Sequence, residues 1–168
     1  MVRFFLWFLA LQAALFGLEL TPWAQQWFVV PWTDTLAAIS AGIVQLFDAH
    51  VLAHGKVLQS ASNGFAVSIE AGCNGIEATI VLVAAILAFP ASWKRKLAGL
   101  GIGIFAVQGL NIVRVISLFY LGQWNFSVFE WAHLYVWQAL IMLDVLVVWL
   151  LWVRTLPQPD ADLPAVAA

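Results

Sequence analysis

The chain of 168 residues is 64% hydrophobic and only 10% charged, against about 25% charged in an ordinary soluble domain. Ten tryptophans and twelve phenylalanines overload a single small core but suit lipid and its interfaces. The formal net charge of -2 says little by itself; the lack of a long basic run removes nucleic acid as a partner, and the composition points to membrane lipid.

The first apolar run, residues 3–20, follows Arg3. It passes through Leu18 and Glu19 into "LTPWAQQW" with no small-residue cleavage site, so it reads as an uncleaved transmembrane helix rather than a signal peptide. Three further runs, 75–92, 97–119 and 133–153, approach the length of a bilayer span. A shorter piece, "TLAAISAGIVQLF" at 35–47, falls below it and reads as an interfacial or re-entrant helix. Between that piece and the second run, "SNG" is a turn signal, and "KVLQ" and "FAVSI" read as a small external hairpin. The expected class is therefore an all-α integral membrane protein with four transmembrane helices, a short interfacial or re-entrant helix and a small external hairpin. Residues 1–155 form one membrane domain. The Pro/Ala-rich end, 156–168, is expected to be a disordered cytoplasmic tail.

Charge orients these spans. Arg3, Lys94-Arg95-Lys96 and Arg154 flank them on one side, which the positive-inside rule makes cytoplasmic. Residues 21–74 and 120–132 then lie outside.

Cys73 is the only cysteine, so neither an internal disulfide nor a thiolate metal cluster is available. His50 and His54 stand four apart, but "HVLAH" lacks the glutamate of a zinc-protease helix. No metal and no cofactor are expected. "GLGIG" at 99–103 begins a membrane helix instead of following a strand, so it signals close helix packing rather than a phosphate loop.

Helical rise brings three polar residues to one depth. Cys73 stands 21 residues before Lys94, and His133 stands 21 before Arg154, roughly 31 Å of helix in each case. Arg114 stands 18 residues after Lys96, roughly 27 Å. Each has a plain alternative: Cys73 as a small buried hydrophobe, Arg114 snorkelling to the interface, and His133 as an ordinary residue at a helix start. A thiol, an imidazole and a guanidinium nevertheless make a complete acyl-transfer set. The thiolate attacks, the imidazole exchanges protons near neutral pH, and the guanidinium stabilises the oxyanion. Asn111 shares a helix face with Arg114 and would hold the guanidinium or bind substrate backbone. Glu77 would pair with Arg114 or oppose thiolate formation. Gly72 and Gly75 permit unusual backbone turns. Asp144, deeper in the last run, needs a polar partner.

"CNGIEA" at 73–78, "NIVRV" at 111–115 and His133 resemble the exosortase/archaeosortase family of membrane cysteine transpeptidases. The resemblance covers most of residues 35–153, and the short chain is most similar to the compact exosortase H type. It implies Cys73 as nucleophile, Arg114 as substrate or transition-state support and His133 as acid/base. It also implies as partners secreted proteins bearing a C-terminal sorting signal, made of a motif, a hydrophobic helix and a basic tail. Such a signal would be removed at the outer face of the cytoplasmic (inner) membrane and the new carboxyl end passed to an acceptor. Two other classes compete. A non-catalytic membrane scaffold predicts that Cys73 is dispensable, and a small-molecule transporter requires a polar route through the bilayer.

Overall fold

The computed structural model describes residues 2–157; most of the expected tail lies outside the described residues. Among the described residues the chain forms five helices and a three-stranded antiparallel sheet. Helix α1 spans Val2–Glu19, α2 Pro22–Val44, α3 Ile76–Ala88, α4 Trp93–Trp124 and α5 Phe126–Arg154. Strands β1 (Val51–His54), β2 (Val57–Ser60) and β3 (Ala66–Ser68) lie between α2 and α3. Helices α1, α2, α4 and α5 are long and apolar enough to cross a membrane. The expected class holds, but the lengths of two of its helices differ from those expected.

The piece at 35–47 is the second half of a 23-residue helix, and the expected span at 75–92 contains a helix of only 13 residues. Thr21 accepts the Ala24 N–H with Pro22 in the first turn, a strong start signal. A π turn at Gln25–Val29 then leads into Pro31, where the looser hydrogen-bond ladder accommodates the missing N–H. The chain leaves α3 at Phe89, ahead of Pro90, in extended conformation, as a residue before proline prefers. Although α2 is long enough to span, its buried face meets the sheet end of the molecule. Leu36, Ala37, Ala41 and Val44 pack with Val51, Leu58, Ile69, Val115 and Phe119.

The basic flanks share one end of the bundle. Phe4 meets Phe89 and Trp149 there, and Arg95 donates to the Thr155 carbonyl at 2.7 Å. Helices α3, α4 and α5 pack through Ala78, Leu82, Ile86, Val107, Ile141, Val145 and Trp152. Gly103 allows that approach, because a Cβ there would stand 2.8 Å from the Leu82 side chain. The outward faces carry Phe5, Leu6, Trp7, Ile102, Phe105, Leu143 and Leu146, as a lipid-facing surface requires.

The sheet stands at the opposite end. The expected hairpin forms between β2 and β3, with Leu58 opposite Val67, and β1 adds a third strand against β2. His54 is therefore a strand residue and His50 precedes the strand, so their spacing of four carries no helical face.

Candidate active site

Residues 69–75 run from β3 to α3 and carry Cys73. Gly72 and Gly75 have φ of 81° and 75°, in the left-handed region that costs an L side chain about 1–2 kcal/mol. At Gly75 the space is also closed, since a Cβ would lie 2.8 Å from Gln108 Oε1.

Four consecutive carbonyls of this loop are held by side chains from two helices. Arg114 Nη1 donates to Gly72 O at 3.2 Å, and Asn111 Nδ2 to Cys73 O at 3.2 Å. Trp32 Nε1 donates to Asn74 O, and Gln108 Nε2 to Gly75 O, both at 3.1 Å. Gln108, Asn111 and Arg114 recur every three residues on one stripe of α4. Asn74 and Gly75 are buried, where a carbonyl cut off from water needs such a donor. Glu77 Oε1 accepts the Gly72 N–H at 2.5 Å, and Asn74 Oδ1 accepts the Ile76 N–H. The loop is fixed from both sides.

On this frame Cys73 Sγ lies 3.1 Å from His133 Nε2 and 3.5 Å from Arg114 Nη2. Arg114 is 2% exposed and Asn111 fully buried. His133 lies in a π turn at Ala132–Val136 of α5, a distortion frequent at functional sites. Its ring stacks on Phe129 with centroids 5.6 Å apart and planes 20° apart. Among the described residues no carboxylate bonds the imidazole. A cavity of about 80 Å³ opens beside Sγ, walled by Val67 to Glu70, Arg114, Phe129 and His133.

Burial pushes the Cys73 thiol above its usual range. Arg114 pulls it down, while Glu77 and Glu70 push it further up. Burial therefore favours the neutral thiol over the thiolate.

The structure brings Cys73, Arg114 and His133 together, with Asn111, Gly75 and Glu77 around them. Two expected contacts differ. Glu77 bonds the Gly72 N–H and makes no ion pair with Arg114. Asn111 reaches the Cys73 carbonyl instead of the guanidinium. Asp144 Oδ2 is buried and, among the described residues, has no hydrogen-bond partner; Asp144 does not line the cavity beside Cys73. Sequence reasoning missed Gln108, Trp32 and Asn74. The spacing of Gln108 from Asn111 and Arg114 was a usable signal. Trp32 had none, lying 42 residues from its partner.

The chain is thus a helical protein with helices long and apolar enough to cross a membrane, and it sets a cysteine against a histidine and a buried arginine. The model of the transmembrane exosortase family (Exosortase_EpsH) matches residues 3–152, and the chain belongs to that family. No curated protein and no solved structure gives a significant match. Membership supports a transpeptidase-type function at a membrane.

Proposed function

We propose that the chain is a membrane cysteine transpeptidase or protease with Cys73 as nucleophile, His133 as acid/base and Arg114 as oxyanion support. Its substrates are secreted proteins carrying a C-terminal sorting signal, cleaved at the outer face of the cytoplasmic membrane. The observation that carries this reading is the 3.1 Å approach of Cys73 Sγ to His133 Nε2 beneath the Arg114 fork. With the basic flanks inside, the opposite end, which carries the sheet and Cys73, faces outward.

In the first step the Sγ proton passes to His133 Nε2 as Sγ bonds the substrate carbonyl carbon. The carbonyl electron pair moves onto oxygen, where the guanidinium stabilises the charge. Collapse of the adduct breaks the C–N bond, His133 protonates the departing amine, and a thioester remains on Cys73. An amine, hydroxyl or water then gives its proton to His133 and attacks the thioester, releasing the thiol. Transfer to an amine or hydroxyl is transpeptidation or esterification, and transfer to water is hydrolysis.

A transporter reading needs polar groups through the full depth. The polar cluster lies at the sheet end, with Asp144 standing apart, so no observation favours that reading. The test is cleavage of a tagged secreted protein bearing such a signal, in membranes with wild-type or Cys73→Ala protein at equal levels. Cleavage should vanish in the variant; its persistence would return the chain to the scaffold class.

A further inference from the structure

We propose that the free edge of β3 is a docking edge on which the extended segment of the substrate adds to the sheet as a fourth strand, beside Cys73. This rests on the transpeptidase reading and names how that site holds its peptide.

The sheet order is β1-β2-β3, so among the described residues β3 has one paired and one free edge. Ser60 N–H donates to Phe65 O, and Ile69 N–H donates to Lys56 O. Residues 65 and 69 therefore face β2, and Val67 does so by the two-residue period. The N–H and C=O of Ala66 and Ser68 point the other way, and both residues are exposed. Proteins usually cover or charge such an edge, because its unpaired groups invite another strand.

The position of this edge identifies its occupant. Val67, Ser68, Ile69 and Glu70 form one wall of the cavity that holds Cys73 Sγ and His133. Just past β3 the chain turns back, with Cys73 N–H donating to Glu70 O at 2.9 Å. The thiol thus opens onto the same cavity as the end of β3. A strand added beside β3 lies about 4.8 Å from it, and its backbone runs past Sγ. Main-chain hydrogen bonds hold such a strand whatever its side chains, while alternate side chains meet the protein. That suits an enzyme which must align an amide bond for attack.

The test uses full-length protein in membranes with a tagged secreted protein whose C-terminal signal the wild type cleaves. Ser68→Pro removes the outward N–H, which β2 does not use, and proline is tolerated at such edge positions. Ser68→Ala loses the same Oγ bond to Glu70 but keeps the N–H. Cleavage by Ser68→Pro should fall at least tenfold below Ser68→Ala, with iodoacetamide labelling of Cys73 equal in the two. Equal cleavage by both overturns strand addition and leaves the cysteine chemistry standing.

A second arm needs no catalysis and does not depend on the proline variant folding. In the Cys73→Ala background, Ala66→Cys supplies the only thiol, and single cysteines are scanned through the segment preceding the substrate's hydrophobic helix. Facing cross-strand positions bring Cβ atoms to about 4.5–5.5 Å, so disulfides should form at alternate substrate positions. Cross-linking without alternation, or only between two copies of this chain, overturns the proposal. Normal processing by Cys73→Ala would instead remove the underlying enzyme reading.

Discussion

At the basic end, Phe4, Phe89, Trp149 and Trp152 lock α1, α3 and α5 together through ring contacts 5.8–6.0 Å between centroids. At the sheet end, Arg114, Asn111, Trp32 and Gln108 spend their hydrogen bonds on one short loop. Aromatic packing tolerates small shifts, because it is spread over many weak atom contacts. Hydrogen bonds to successive carbonyls do not, because each has a narrow distance and angle. The first region holds the helices at their spacing, and the second holds one sulfur within reach of an imidazole.

The contrast can be broken most severely at Arg114. Arg114→Ala should lower cleavage by about 10²–10³, the cost of losing an oxyanion donor. Arg114→Lys should recover little, because an ammonium cannot reach Gly72 O and the reacting centre together as a planar fork does. Both are measured as cleavage at matched protein levels. Wild-type activity in Arg114→Lys would reduce the residue to a charge.

Gly75→Ala comes next. The left-handed backbone penalty of about 1–2 kcal/mol adds to a clash with Gln108 and Asn111. Less protein should accumulate, and the activity per folded molecule should fall about tenfold, the factor that 1.4 kcal/mol of misplacement carries. Unchanged activity per molecule would show that the loop tolerates movement.

The ionisation of Cys73 sharpens the same point. Burial raises the thiol against the pull of Arg114, so iodoacetamide labelling should rise with pH later than for a free cysteine. Arg114→Ala should shift that profile further up in pH, and Glu77→Gln should shift it down. A profile centred below the usual thiol range would instead indicate a preformed thiolate–imidazolium pair.

The smallest effect on chemistry belongs to the basic end. Phe89→Ala removes ring pairs worth about 0.5–1.5 kcal/mol each and should lower the thermal midpoint in detergent by several degrees. Cleavage per folded molecule should stay within about twofold, since helix spacing there lies far from the sulfur. A tenfold loss would show that the two ends are coupled.

Much of the site was legible because helical rise is regular. Counting from Lys96 and Arg154 put Arg114 and His133 at one depth, and one end of the bundle does carry both beside Cys73. The hairpin followed from "SNG" and the alternation in "FAVSI". Only the apolar piece at 35–47 of α2 was legible, because Pro22 and Pro31 interrupt the run before it, and a cap and a π turn absorb them. Strand β1 was hidden because "HVLAH" shows a helical histidine spacing. Trp32 was illegible for a different reason: a contact between residues 42 apart depends on how α2 meets the loop, and no local pattern encodes that meeting.

The central claim is tested most directly at the sulfur itself. Cys73→Ala removes one small side chain from a loop held through its carbonyls, so the protein should insert and accumulate as wild type. A tagged substrate should then keep its C-terminal signal. In wild-type membranes, intact mass should reveal a thioester on Cys73 that hydroxylamine releases. Retention of the signal in Cys73→Ala, together with that adduct in the wild type, is the result expected. Normal removal of the signal by a well-expressed Cys73→Ala protein would contradict it.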